Sequence, residues 1–168
     1  MTIATERLLL RRTRLADVPS LYAFLGDAAA MRHTVHFGSL RECRRYVAAH
    51  QWHQRATGHA PWTILRKSDG QIIGWGGLYE DPFDRGWGIE VGYWFAPSSW
   101  GNGYATELVR AALAQARETV GLTEVSAFAR PENVASCRVL EKAGFHKVRY
   151  VASLERNLYR CQVAAEVG

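Results

Sequence analysis

Apolar and polar positions along the chain alternate between a period of two and a period near 3.6, which predicts strands and helices in mixed order. Thr5-Glu6-Arg7-Leu8-Leu9-Leu10-Arg11 reads as a first strand. Asp17 precedes Val18-Pro19, placing proline early in a helix, where its missing N–H costs least. That helix turns Leu21, Phe24 and Leu25 inward and ends near Gly26. Ser39-Leu40-Arg41-Glu42 has the form of a capping box, followed by a helical stripe of Leu40, Cys43, Tyr46 and Val47. Trp62–Leu65 and Ile72–Trp75 flank Ser68-Asp69-Gly70, whose Asp-Gly pair predicts a hairpin. After the polar stretch Asp81–Gly86 comes a strand from Gly88 to Phe95. A helix then runs through Ala105, Leu108, Val109, Ala112, Leu113 and Ala116 and is stopped by Gly121. Thr123–Ala129 is strand-like, and Val134–Ala143 is helical with Gly144 just past its end. Phe145–Val151 and Leu158–Val163 supply closing strands. This order is neither doubly wound nor a bundle; it predicts one mixed α/β unit.

Composition changes this picture little. The 168 residues are 48% apolar and 22% charged, with six Trp, which suits a single domain with a sizeable core and excludes wholesale disorder. No apolar run is long enough to cross a membrane, and the N-terminus does not read as a secretory signal. The net charge of +5 arises from arginines spread along the chain. Only Arg11-Arg12-x-Arg14 and Arg41-x-x-Arg44-Arg45 cluster, and neither is interleaved with stacking aromatics. An anionic small ligand therefore explains the charge better than nucleic acid does. Cys43, Cys137 and Cys161 are odd in number and lack CxxC spacing, so they read as reduced thiols of a cytoplasmic protein.

The first segment with chemistry is Trp100-Gly101-Asn102-Gly103-Tyr104-Ala105, between a strand and a helix. Glycines there free backbone N–H groups to face an anion, and the helix N-terminus adds partial positive charge. The loop lacks the Gly-Lys-Ser/Thr ending of a P-loop, and Thr106 stands where a dinucleotide fingerprint needs its third glycine. A plain turn requiring positive φ explains two glycines equally well. His50 and His53, three apart on a helix, have a spacing open to metal, but no third ligand is placed, so no metal is expected and a solvated helix face is the favoured reading. Cys137 beside Ser136 lacks a paired histidine and reads as a small helix residue rather than an acyl carrier.

Two further segments make the loop specific: Ile89-Glu90-Val91-Gly92-Tyr93-Trp94-Phe95-Ala96-Pro97, and Asn133-x-x-Ser136-x-x-Val139-Leu140-Glu141-Lys142-x-Gly144-Phe145. With Trp100-Gly101-x-Gly103-Tyr104-Ala105-Thr106-Glu107 they resemble the GNAT N-acetyltransferase superfamily, and more closely its ribosomal-protein-alanine (RimJ/RimL-type) branch. The resemblance spans nearly the whole chain. It implies a single α/β (α+β) domain over residues 1–168, with a mixed central sheet of about six to seven strands, splayed in the middle, and about four flanking helices. It implies acetyl-CoA as cosubstrate, bound between strands Glu90–Ala96 and Thr123–Ala129. A bulge in the first strand would leave backbone groups for the pantetheine arm, and one N–H near Trp94, Phe95 or Ala96 would hold the thioester carbonyl and the oxyanion. The amides of Gly101, Asn102, Gly103, Tyr104 and Ala105 would hold the pyrophosphate beside Trp100, with Thr106 adding a hydroxyl and Asn133 bonding the arm.

Two departures from the superfamily matter. Trp100 replaces the usual Gln or Arg, and Leu140 stands where many members carry the Tyr that protonates the leaving thiolate. Ser136 is the nearest substitute; helix N-terminal hydrogen bonding is its structural alternative, and water can also supply the proton. Glu90 is the expected general base, since an amine acceptor is mostly protonated at pH 7 and strand alternation puts Glu90, Gly92 and Trp94 on one face. The competing reading is a Glu paired with an Arg across the sheet. Acceptor-side aromatics are expected from Phe37, Trp87 and Trp52, with His33 and His36 at the mouth and Tyr150–Arg156 as the other candidate wall. The function implied is acetyl transfer to a primary amine, a protein N-terminus or small molecule, by a chain that resembles frequent homodimers. A CoA-binding sensor with little turnover is the alternative that the missing Tyr leaves open.

Overall fold

The computed structural model describes residues 1–119 and 121–163. Among these residues eight strands form a single sheet in the order β1-β2-β3-β4-β5-β6-β8-β7. They are β1 (Thr2–Ala4), β2 (Leu8–Arg12), β3 (Trp62–Arg66), β4 (Ile72–Tyr79), β5 (Glu90–Phe95), β6 (Glu124–Ala129), β7 (His146–Val151) and β8 (Arg156–Gln162). Every neighbouring pair is antiparallel except β5 and β6, which run parallel. The expected α/β (α+β) fold is present, with one strand more than predicted. The chain bends at Glu6-Arg7, so the predicted first strand, Thr5–Arg11, begins only at Leu8 as β2, and an additional short strand, β1, precedes the bend and pairs back on β2 through Ile3 and Leu10. The bend is held from outside the sheet by Glu107, whose carboxylate accepts from Thr5 Oγ1 at 2.5 Å and from Arg7 N at 2.7 Å.

The four α-helices among the described residues are α1 (Val18–Leu25), α2 (Leu40–Thr57), α3 (Tyr104–Glu118) and α4 (Val134–Lys142). Two apolar clusters lie on the two faces of the sheet. Val18, Leu21, Phe24 and Leu25 of α1 pack with Cys43 and Val47 of α2 against Trp75. Leu108, Val109, Ala112 and Leu113 of α3 and Leu140 of α4 pack against Leu8, Ile64, Val91 and Phe95. Ser39 caps α2 by accepting from Glu42 N, while the Glu42 carboxylate reaches Gly38 N rather than closing the box on Ser39. Leu40, expected inward, is exposed, and α3 ends at Glu118, before Gly121. Among the described residues no helix is long and apolar enough to cross a membrane.

The feature that positions the site is the seam between β5 and β6. Their pairing consists of one register point, Glu90 opposite Ser126, with Ser126 N donating to Ile89 O at 2.9 Å. Beyond it the strands part, as expected. The expected bulge in β5 is absent: its pairing with β4 is regular from Tyr79–Glu90 to Gly74–Phe95 and continues as Ala96 N donates to Ile73 O. The free backbone edge is produced by splaying alone. Antiparallel alternation, counted back from Ala96, turns the N–H groups of Trp94 and Gly92 toward β4 and those of Phe95 and Tyr93 toward the gap.

Candidate active site

A cavity of about 380 Å³ opens along this seam. Its floor is β5, where Glu90, Gly92 and Trp94 alternate with Val91 and Tyr93; Trp94 packs toward α1 and α2, and Tyr93 toward α3 and α4. One wall is the loop between β4 and β5, with Asp81, Asp84 and Trp87; another is Tyr46 with His33, Thr34 and Val35; the third is Ser153, Leu154 and Arg156. Asn133, Ser136 and Leu140 close the α4 side.

Glu90 is 5% exposed, and what it exposes faces the cavity. Among the described residues no donor holds its carboxylate; burial, reinforced by the charges of Asp81 and Asp84 and opposed by Arg156, pushes its pKa up to about 8. The competing reading, an ion pair across the sheet, is not what the geometry shows: Arg156 exerts charge on Glu90 without a bond within 4 Å among the described residues. A carboxylate so placed changes charge in the range where amines do, which suits proton removal.

On the opposite face, the Tyr93 hydroxyl shares a hydrogen bond of 2.8 Å with Ser136 Oγ. The Ser136 amide meanwhile donates to Asn133 Oδ1 at 3.2 Å, the N-cap of α4. Ser136 therefore has the helix N-terminal hydrogen bond that was its structural alternative, made through its backbone, while its hydroxyl is held by Tyr93. Leu140, in the position where a phenol was missing, is buried and lines the same wall.

The glycine loop follows β5. Gly101 and Gly103 have φ of 75° and 77°, the left-handed region that favours glycine. Trp100 Nε1 donates to Phe95 O at 2.9 Å, and Asn102 Nδ2 reaches Ser99 O and Trp100 O, both at 3.0 Å. Trp100 is half exposed and ties the loop to β5 instead of entering the cavity. The consecutive N–H groups from Gly101 through Tyr104 and Ala105 to Thr106 have no acceptor among the described residues, while Glu107 N already closes on Gly103 O. Consecutive amides of this kind at a helix N-terminus have the form of an anion cradle. The loop borders a second cavity of about 390 Å³ through Gly103 and Thr106, beside Arg7 and Arg110.

Of the expected acceptor-side residues, Trp87 and His33 line the cavity; Phe37 does not. Phe37 is buried under α1 and α2, its ring 4.9 Å from Tyr46, so it backs the residue that forms the wall. Trp52 points out from α2, and His36 is exposed away from the cavity. The alternative segment, through Ser153, Leu154 and Arg156, contributes as well. His50 and His53 are buried rather than solvated: His50 lies among Tyr46, Trp75, Tyr79 and Phe83, and His53 bonds Glu80 at 2.7 Å. Among the described residues no His, Cys, Asp and Glu group could hold a metal ion. The residues missed in the sequence are Tyr46 and Tyr79, both lining the cavity. Tyr79 was legible only in part: its alternation with Leu78 on β4 marks a face, but its contact with Gly92 depends on the β4–β5 register.

A mixed sheet parted between two parallel strands, with a run of free amides at the start of the helix that follows the first of them and a buried carboxylate beside the gap, is the arrangement of an acyl-CoA-dependent acyltransferase. Residues 7–146 match the model of the Acetyltransferase (GNAT) domain. YkkB of Bacillus subtilis (strain 168), an uncharacterized protein, is 31% identical over 145 residues, covering 86% of this chain and 84% of its own. YoaA of the same organism, an uncharacterized N-acetyltransferase, is 24% identical over 147 residues, 86% of this chain and 82% of its own. The structure of RimL, a ribosomal L7/L12 α-N-protein acetyltransferase in complex with coenzyme A, superposes with a TM-score of 0.80 at 19% identity, over 99% of this chain and 100% of that one. The chain belongs to the GNAT acetyltransferase family, and its cosubstrate is acetyl-CoA.

Proposed function

We propose that the chain, as one catalytic domain over residues 1–168, transfers the acetyl group of acetyl-CoA directly to a primary amine bound beside it. The observation that carries this reading is Glu90: a buried carboxylate, unpartnered among the described residues, at the point where β5 and β6 part and made basic by its surroundings. The pantetheine arm lies along the open edge of β5. The N–H of Phe95 faces the thioester carbonyl and strengthens its hold as the oxyanion forms, because those of Trp94 and Ala96 are engaged by β4. The amides of the glycine loop hold the pyrophosphate, with the Thr106 hydroxyl beside them, and the Asn133 amide group bonds the arm.

Glu90 takes a proton from the bound ammonium group. The freed nitrogen lone pair forms the C–N bond, and the oxyanion collapses with cleavage of the C–S bond. The departing thiolate receives a proton from the Ser136 hydroxyl, which Tyr93 holds and solvent recharges; the second proton of the attacking nitrogen leaves to water. The acceptor enters between His33–Val35 and the Trp87 loop. RimL's activity on a protein N-terminus favours the same acceptor here, with small amines as the other class. The free cysteines accord with a reducing, cytoplasmic setting.

Glu90→Gln tests the reading because it keeps size and removes basicity. Wild-type kcat/KM for an amine found active in a panel of peptides, amino-acid amides and diamines should rise with pH through about 8. The variant should lose about 10²–10⁴-fold in kcat near pH 8, with CoA affinity unchanged. A variant with wild-type kcat across pH 6–10 would remove Glu90 from the reaction.

A further inference from the structure

The cavity contains a second polar group that the reaction as described leaves idle. Tyr79 stands opposite Glu90 in the β4–β5 register, on the same face of the sheet as Gly92 and Trp94. Its ring crosses β5 instead of rising from it. A Cβ placed on Gly92 would lie 2.8 Å from the Tyr79 hydroxyl oxygen and 2.9 Å from Cε1. The gap at Gly92 is thus filled by this phenol, whose oxygen sits over the strand between Glu90 and Trp94. The ring is fixed by an edge contact with His50 at 5.1 Å and by Trp94 at 6.2 Å. Burial keeps the hydroxyl protonated, and no group among the described residues bonds to it. Tyr46 also opens on the cavity, but its ring stacks at 5.2 Å on the exposed Phe83 and belongs to the outer wall.

We infer that the Tyr79 hydroxyl is a further catalytic residue, accepting an N–H of the acceptor amine beside Glu90 and thereby selecting primary amines over N-substituted ones. This rests on the acetyltransferase reading above. The nitrogen that attacks must aim its lone pair at the thioester. Its remaining valences point away, one toward the carboxylate that removes a proton and one toward the phenol oxygen that crosses Gly92. A primary amine retains two N–H bonds after losing its first proton, so it keeps the bond to Tyr79 throughout the attack. A secondary amine retains one, and its extra carbon is directed at the phenol or at Glu90. The glycine at position 92 is what admits the hydroxyl, which gives that residue a function its strand geometry alone does not require.

The test uses the full chain loaded with CoA and carrying ¹³C-labelled tyrosine and glutamate, with n-propylamine and N-methylpropylamine as probes. Saturating n-propylamine should shift the Tyr79 Cζ signal, assigned by its loss in Tyr79→Phe, together with the Glu90 carboxyl signal. In turnover with acetyl-CoA, Tyr79→Phe should lower kcat/KM for n-propylamine about 10- to 100-fold and compress its advantage over N-methylpropylamine, at unchanged CoA affinity and melting temperature. Gly92→Ala, whose Cβ must push the hydroxyl aside, should reproduce the loss, and the double variant should lose little more. A Tyr79 signal unmoved by the amine, or Tyr79→Phe with wild-type kcat/KM, overturns the assignment. Failure of the acetyltransferase reading looks different: wild-type protein would then release no thiol with any amine.

Discussion

Glu90 contributes its basicity at the expense of stability. Its pKa lies near 8 in the fold against an ordinary value of 4.5, so between those values the folded chain binds the extra proton and the unfolded chain does not. Stability from this group is therefore complete below about pH 4.5 and falls as pH rises toward 8. Glu90→Gln should raise the unfolding free energy by on the order of 4 kcal/mol at pH 9 and change it little at pH 4, measured by urea unfolding. An equal effect at both pH values would mean that the carboxylate is solvated in the fold. Strand alternation was enough to place Glu90 on a face with Gly92 and Trp94. It could not place Tyr79 over Gly92, because that contact is a diagonal between strands and depends on their register. Phe37 misled for a related reason: an aromatic in a loop between helices has no period to say whether it faces the cavity or backs it.

Along single elements, α2 and the glycine loop show what periodicity conveys and what it leaves out. Cys43, Val47, His50 and His53 share the inward face of α2; the spacing marked Cys43 and Val47 but counted the exposed Leu40 with them, and the polarity of histidine argued against burial of His50 and His53. His50 is nonetheless enclosed by aromatic rings with both ring nitrogens unpartnered, and burial, then His53, pushes its pKa down to about 3. The unfolded chain therefore takes a proton at this residue as pH falls below 6.5, and the folded chain resists until about 3. His50→Leu should remove up to about 3 kcal/mol of acid destabilisation at pH 4 and leave stability at pH 7 equal or improved, read from urea midpoints. In the loop, Gly103 holds φ of 77°, while an added Cβ would meet nothing nearer than Arg7 Nη2 at 3.5 Å. Gly103→Val is thus strained by backbone rather than by crowding, and the loop must turn its amides away from their common focus to relieve it. We expect CoA affinity to fall at least about 10-fold by calorimetry, equivalent to about 1.4 kcal/mol. Gly70→Val, equally strained at φ of 70° in the β3–β4 turn, should lose stability without losing CoA.

Taken as a whole, the molecule is two half-sheets, β1–β5 and β6–β8, joined through one register point at Glu90–Ser126 and through the packing of α3, which lies on the first, against α4, which lies on the second. The order of elements made the mixed sheet legible, and the three motifs located the cleft. What no local pattern conveyed was how the edge of β5 is freed: the expected bulge is missing, and divergence of two well-formed strands does the work instead. The two possibilities differ in which amides a ligand can reach. A bulge would scatter free N–H groups irregularly, whereas a regular strand that has lost one partner offers every second residue. If the pantetheine arm pairs with β5 as an added strand, saturation with acetyl-CoA should slow hydrogen exchange at the amides of Tyr93 and Phe95. Gly92, Trp94 and Ala96, already held by β4, should gain only the global stabilisation, about 2.7 kcal/mol at a hundred times the dissociation constant. Amide-resolved exchange with and without CoA distinguishes the cases. Protection with a period of two along residues 92–96 supports strand addition at the seam; uniform protection would show that CoA stabilises the fold while binding away from the β5 edge, and would move the thioester from the Phe95 N–H.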